Sequence, residues 1–417
     1  MLPAAQQTAL DERLHALAEP SDGGWLGQAR SAAKERLLAI GLPTRRDEYW
    51  RYTNPRALTQ PVPDVSGAGA DLTVFDAANA IVIEVAGDVI TLPDSLPHGL
   101  EVSTLRQAAE ADIHWVRDYY ATLEAKGSSP VQRPLAALNS AYATDGILLR
   151  ATGAVDEPVL IRNTQEGDPI LHHVIKVEGG ASLTVLEVGA PGARSNQVTE
   201  VEIADAAALH HIRIQGPEAD RHDATHLFAR LGAESVLKSF TLSANGKLAR
   251  NEAVIELTGD DASATVAGAA FGRGAFHHDD TVFVTHDAEN CESRQVFKKV
   301  LRDGATGVFQ GKILVKEGAQ KTDGYQISQS LLLDDDSVFL AKPELEIYAD
   351  DVACSHGSTT GAIDETALFY LRSRGVPHRE ATDLLVLSFL AEALEEIEDE
   401  DLRETVSDLM ADWLSRA

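Results

Sequence analysis

The sequence predicts a mainly β protein: a parallel β-solenoid core between an N-terminal and a C-terminal helical region. Three observations carry that prediction. From Gly146 to about Ser355, short β-branched and apolar runs recur, roughly ten residues apart and punctuated by Gly, Asp and Asn. Long helical periodicity is absent from that stretch. Apolar residues three or four apart are confined to the two ends.

Residues 1 to about 60 read as helical with loops. Trp25, Leu26, Ala29, Ala33, Leu37 and Leu38 fall on one helical face, and Gly41 and Pro43 stop that helix. The segment Pro43 to Tyr52 crowds charge and aromatics together. It reads as an amphipathic edge packing Tyr49 and Trp50 inward, in preference to a partner-binding surface. Residues 71 to 104 hold strand-like runs such as Ala80 to Val85, and a helix is expected from about Thr104 to Glu124. Gly127, Ser128, Ser129 and Pro130 make a break. Leu135 to Tyr142 is a further helical piece, ending near Asp145 and Gly146.

Strand-like runs of the core include Ile147–Arg150, Pro158–Arg162, His172–Val177, Leu183–Val188, Val198–Ile203, Leu209–Ile214 and Val254–Leu257. Thr281–Val284, Thr306–Ile313, Val338–Ala341 and Leu345–Tyr348 follow. Strands without intervening helices leave a sandwich, a barrel or a solenoid. The length of the stretch exceeds what one sandwich needs, and no hairpin dipeptide such as Asn-Gly dominates, Asn245-Gly246 being an exception. Both points favour the solenoid, in which coils stack into a continuous apolar stripe. No strict sequence repeat is visible.

At the C-terminal side, Asp364 can cap a helix through Leu371, with Gly375 past its end and Pro377 opening the next. Leu384, Leu385, Leu387, Leu390, Ala391, Leu394 and Ile397 make a wide apolar face. An amphipathic segment from about Asp401 to Leu414 presents Leu402, Val406, Leu409, Met410 and Trp413. From His378 onward twelve acidic residues stand against three arginines. Such helices suit docking against a body or a partner, or a cap over the end of a solenoid.

Composition excludes several functions. The 417 residues carry 36 basic and 65 acidic groups, a net charge of −29. With no basic stripe, nucleic acid is not an expected partner. The charge fits a well-solvated surface that prefers basic partners. Two cysteines, Cys291 and Cys354, cannot build a disulfide framework, which suggests a reducing compartment. The first residues lack a basic, then apolar, signal pattern. Leu384 to Leu394 contains Glu392 and is too short to cross a bilayer. A cytoplasmic chain with no membrane partner is expected.

The familiar catalytic motifs are absent from the sequence. At Gly246-Lys247 and Gly311-Lys312 the earlier glycine of a phosphate-binding loop is replaced by Thr241 and Thr306. Neither Gly-x-Ser-x-Gly nor a zinc pattern occurs. A solenoid acting on polysaccharide would need paired carboxylates. Asp279-Asp280 and Asp334-Asp335-Asp336 read instead as turns. The sharpest constellation is Cys354-Ser355-His356. On an extended strand, Cys354 and His356 point to one side and can share iron or zinc. Two ligands are too few for a closed site, so a partner chain would supply the others. On spacing alone, a buried thiol and a satisfied histidine is the better reading. His277-His278 with Asp279-Asp280 reads as a polar turn in which at most one histidine could ligate. Cys291 reads as structural.

Two stretches carry a family resemblance. Pro343 to Val376 reads PELEIYADDVACSHGSTTGAIDETALFYLRSRGV, which resembles the signature of the SufB/SufD family of iron–sulfur cluster assembly proteins. Gly41 to Thr53, reading GLPTRRDEYWRYT, resembles the SufD branch of that family rather than the SufB branch. The resemblance implies a right-handed parallel β-helix over 145–355, between a helical and mixed region (1–144) and a C-terminal helical domain (356–417). It implies a non-catalytic scaffold working with a SufB-like β-helix subunit and a SufC-like ATPase gripped by the C-terminal helices. A homodimer of the isolated chain is compatible with it. Iron or a transient iron–sulfur cluster would be handled at the subunit interface, with no tightly bound cofactor. His356 and Cys354 fall on the family's Cys-x-His positions. His356 would be the candidate ligand and Cys354 a supporting one. The alternatives are a SufB-like sulfur acceptor and, further off, a carbohydrate-active solenoid.

Overall fold

Each core run pairs in parallel with the run one coil later, not with its neighbour in sequence, and this winds the chain into a solenoid. The structure, a computed structural model, describes residues 2–20, 23–65, 72–111, 114–164, 167–216 and 220–416. Among them, helices α1 (Ala4–His15), α2 (Gly24–Ile40) and α3 (Arg56–Thr59) lead to strands β1 (Ile81–Ala86), β2 (Val89–Thr91) and β3 (Leu100–Thr104). Residue 71, at the edge of the strand-like span expected from the sequence, lies outside the described residues. Helices α4 (Leu105–Glu110), α5 (Thr122–Gly127) and α6 (Pro134–Tyr142) follow.

The solenoid continues through β4 (Ile147–Ala151), β5 (Val159–Thr164), β6 (Ile170–Val177), β7 (Ser182–Val188), β8 (Arg194–Ile203), β9 (Ala208–Gln215), β10 (His222–Leu231) and β11 (Val236–Ala244). Then come β12 (Leu248–Leu257), β13 (Ser263–Arg273), β14 (His277–His286), β15 (Glu292–Arg302), β16 (Thr306–Val315), β17 (Thr322–Leu332), β18 (Val338–Ile347) and β19 (Val352–Gly361). Helices α7 (Glu365–Ser373), α8 (His378–Leu394) and α9 (Glu400–Arg416) end the described chain. The odd strands from β5, with β1 and β2, form one ten-stranded sheet. The even strands from β4, with β3, form a nine-stranded sheet. Stacked strands therefore begin at Ile81 and run to Gly361, beyond 145–355 on both sides. The later limit fell short because β19 is built of small and polar residues that read as loop.

The core lies between the sheets. Ile255 stands beside Val284, and Val284 beside Ile313, one coil apart in register. Burying each such side chain stabilises the fold by about 1.5–3 kcal/mol. A repeat invisible in the sequence appears in the backbone. Gly180, Ala206, Glu234, Asp261, Asn290 and Lys321 all take positive φ at successive turns between the sheets. Each but the last donates its N–H to the carbonyl just before the next one: Ala206 to Ala233, Glu234 to Asp260, Asp261 to Glu289, Asn290 to Gln320. Lys321 donates in the same way to Asp351. The left-handed conformation costs a non-glycine residue about 1–2 kcal/mol. The stacked hydrogen bonds offset it, so side-chain identity at these turns is free to vary.

Several expectations are corrected. The single helix expected from Thr104 to Glu124 is three short pieces: α4, a 3-10 turn at Trp115–Asp118, and α5. The Glu200 carboxylate accepts the Ala121 and Glu124 N–H groups. That holds Ala121 at positive φ and starts α5 anew. On α2, Leu26, Ala33 and Leu37 are buried but Leu38 faces out. Val338–Ala341 and Leu345–Tyr348 are one strand, β18, with Tyr348 just past its end. Its Pro343 is tolerated because β18 is an edge. Strands β10, β11, β13, β15, β17 and β19 are less apparent in the sequence because small and polar residues are interspersed with their few inward apolar ones, such as Leu227 and Leu231 on β10 and Phe297 on β15.

Helices α8 and α9 do not cap the solenoid's end. Val386, Leu390, Val406, Met410 and Trp413 pack on the outer face of the ten-stranded sheet against Phe240, Phe271 and Val300. Lys298 and Lys238 clip Glu392 and Glu398 at the two ends of that contact. No helix among the described residues is long and apolar enough to cross a membrane.

Burial also dictates an acid sensitivity. It pushes His173, His226 and His286 down to about 4. A folded-state value below the unfolded value of about 6.5 stabilises the neutral form above that pH. That contribution is lost as pH falls from about 6.5 toward 4. We expect the urea midpoint to drop across this window, measured in high salt so that surface charge is screened. A flat profile would mean these rings are not held neutral.

Candidate functional site

Both sheets end at the same place. β18 pairs only with β16, and β19 only with β17, so each leaves one edge open among the described residues. No residue of β18 or β19 is fully buried, in contrast to the strands behind them. Tyr348 is 60% exposed, and beside this end α7 leaves Phe369 at 73% and Tyr370 at 55%. The ten residues of β19 contain no charge and no proline. Natural edges are usually blunted by one or the other, and an unguarded edge is a template for another strand.

β19 carries Cys354 and His356. Period-two alternation puts both on one face, about 6.6 Å apart along the strand. That face looks into the solenoid. Cys354 packs with Leu345 and Val352 against Ile313 and Val315. Ser328 donates to Ser358 at 3.0 Å, and Ser330 to Thr360 at 3.2 Å, on the same side. His356, between Cys354 and Ser358, faces the same way, yet it is exposed because no further coil stacks above it. Burial pushes the Cys354 thiol above its ordinary value, so it stays protonated at neutral pH unless a metal displaces the proton. Among the described residues no group of three or more His, Cys, Asp and Glu could hold a metal ion. The chain thus brings two donors of the expected pair together, and any further ligands would come from elsewhere. Gly324, below Cys354 in register, leaves the thiol its room: a Cβ there would sit 3.1 Å from Sγ.

The second histidine cluster is not a turn. His277 to Asp280 lie on β14, with His278, Asp279 and Asp280 buried. Alternation separates them. His278 and Asp280 point between the sheets to Lys299, at 2.9 and 2.7 Å. Asp279 points outward to Arg250, and Thr53 donates to it. Arg250 donates to Glu252 at 2.7 Å and lies 4.0 Å from the Trp50 ring centroid. Arg133 sits 3.2 Å from Glu252. Tyr49 donates to Glu344 at 2.7 Å and meets the Phe283 ring edge-on. The Pro43–Tyr52 segment is therefore the inward-packing edge expected of it, clamped to the outer face of the nine-stranded sheet. The triple aspartate does form a turn: Asp334 accepts the N–H groups of Asp336 and Ser337. Cys291 is a free thiol in the core.

The buried charges Arg250, Glu252, Arg133 and Lys299 were not anticipated. Written out coil by coil, the sequence sets Arg250 beside Asp279 in register. That alignment is the one signal that could have found the pair.

The chain is similar to known proteins over much of its length. The family model described as SUF system FeS cluster assembly, SufBD core domain, matches residues 160–389. The iron–sulfur cluster assembly protein SufD of Escherichia coli is 29% identical over 391 residues, 89% of each chain. SufD of Bacillus subtilis is 26% identical over 406 residues, covering 91% of this chain and 92% of that one. An iron–sulfur cluster assembly SufBD family protein of Mycobacterium tuberculosis is 30% identical over 299 residues, covering 68% and 74%.

Proposed function

Because the chain belongs to the SufB/SufD family of iron–sulfur cluster assembly proteins and resembles SufD within it, we propose that it is a non-catalytic scaffold subunit of a SufBCD-type complex. Its open solenoid end receives a SufB-like β-helix subunit, and iron or a nascent cluster is handled as cargo in the seam. The observation that carries this reading is the uncharged edge of β19 bearing Cys354 and His356 on its inward face. A strand added there brings a partner's side chains into line with His356. An imidazole is a ready ligand for iron, and Cys354 beside it would bind only as the metal displaces its proton.

The acidic helices suit the ATPase partner. Between the start of α8 and the end of α9 lies a cleft of about 450 Å³ lined by Leu384, Leu387 and Leu414 with Arg379 and Asp383. Packing on the sheet leaves this apolar patch for another subunit. Two free cysteines fit work in the cytoplasm, where thiols stay reduced. The SufB-like alternative, sulfur acceptance on cysteine, is disfavoured because burial raises both thiols, Cys291 and Cys354.

In the His356→Ala variant, the complex with its partners forms normally. Cluster transfer to an apo-acceptor, followed by absorbance, falls about 10-fold or more. Transfer at the wild-type rate would remove His356 from the mechanism.

A further inference from the structure

Behind the open end lie two side chains that the proposed function leaves unused. Gln295 on β15 stands beside Gln326 on β17, and Gln326 beside His356 on β19. The column lies on the inward face, with Phe297 two positions past Gln295 in the core between the sheets. Both glutamines are 0% exposed. Neither carboxamide oxygen nor nitrogen has a hydrogen-bond partner among the described residues. Leaving a buried polar group unpaired is costly, and a leucine would fill either position without that penalty.

The facing strand makes room for this polar column. Gly311 on β16 lies against Gln326, and a Cβ there would sit 2.6 Å from its amide atoms. Gly311 does not adopt positive φ, so the glycine serves space and not backbone conformation. The Gln326 carboxamide itself fills the space Gly311 leaves, and polar atoms that are buried and unpaired are the groups to which internal water binds. Each carboxamide offers both N–H donors and a carbonyl acceptor, which matches water. An anion would meet the carbonyls, and an apolar guest would leave every group unpaired.

We propose that Gln326, with Gln295 behind it, holds ordered water inside the last coils that hydrogen-bonds the inward nitrogen of His356 and fixes the tautomer and orientation of its ring. Gln326 is then a positioning residue, and the outward nitrogen of His356 is the one presented at the seam. This rests on the reading of His356 as the cargo-handling residue. A ligating imidazole is ordinarily oriented by a partner on its other nitrogen. On β19 itself the inward neighbours are committed elsewhere, Cys354 to the Ile313 cluster and Ser358 to Ser328.

The test uses the full chain with ¹⁵N-labelled histidine, at a pH of about 8 where a free imidazole is neutral. In wild type the His356 ring nitrogens show one dominant tautomer. In Gln326→Leu they move to the mixed pattern of free imidazole, while the unfolding midpoint stays level or rises. Unchanged ring shifts in a folded Gln326→Leu chain overturn the proposal. A high-resolution crystal structure of the wild type gives a check that needs no variant. Water between the two carboxamides supports the proposal, and a dry slot with the amides bonded to each other overturns it. Neither readout involves cluster transfer. If His356→Ala transfers normally while Gln326→Leu still scrambles the tautomer, the function falls and the positioning stands.

Discussion

Replacing Arg250 by methionine lowers the stability of the folded chain by about 3–5 kcal/mol, the cost of leaving buried carboxylates without their cation. Arg250 is buried, donates to Glu252 and Asp279, and stacks over Trp50. Methionine keeps much of the volume but none of the charge. Burial alone would raise the Glu252 carboxyl, but Arg250, His226 and Arg133 outweigh it and hold the group at about 2. Burial likewise opposes ionisation of Asp279, and Arg250 with Thr53 brings it below its ordinary value. A depressed carboxylate stabilises the fold above its unfolded value of about 4.5 and ceases to as pH falls through the folded value. Without Arg250 that contribution disappears, so the difference between variant and wild type shrinks on acidification. Denaturant titrations at pH 7 and pH 4 measure both effects. The same variant loosens the segment around Trp50, so proteolysis near Arg51 speeds up. A loss below about 1 kcal/mol at neutral pH would show that the network is worth no more than a surface pair.

Lysines at Ser355 and Thr359 weaken pairing with a SufB-like subunit by about 100-fold or more, close to 2.7 kcal/mol. Both positions are exposed on β19, on the face opposite Cys354 and His356. They leave the core and the inward face untouched, so the monomer unfolds at the wild-type midpoint. Adding a strand at this edge would then require desolvating two ammonium groups, which is how natural edges resist pairing. A binding titration monitored by size-exclusion chromatography reads the effect. The same experiment on the chain alone reports on a homodimer using this edge, which the lysines would dissolve. Wild-type affinity in the double variant would move the partner surface away from β19, and attention would pass to Phe369 and Tyr370 on α7.

What could be read in advance follows from the range of the forces involved. Helix ends were legible because their causes are local. Asp364 accepts the N–H groups of Thr366 and Ala367, and Gly41 and Gly375 take positive φ just past their helices. Tyr49 and Trp50 packed inward as their amphipathic segment required. The Cys-x-His pair fell on one face because side chains alternate along any strand. The polar strands were harder. His277 to Asp280 resembles a turn as long as its partners are unknown, since two adjacent aspartates are not expected in a core. They become a strand only because Arg250 and Lys299 arrive from neighbouring coils.

The sequence by itself determined that the chain is β in its middle and helical at its ends, and which two donors would face one way if their segment were extended. Only the tertiary structure decided which strands are neighbours, where the stack ends, and hence that His356 looks into an open coil above two unpaired glutamines. The physical reason is that parallel pairing joins residues about a coil apart through backbone hydrogen bonds that every residue but proline can make. Turns such as Glu234, Asp261 and Asn290 then need share a conformation but no side chain. A repeat written in the backbone leaves little trace in the letters.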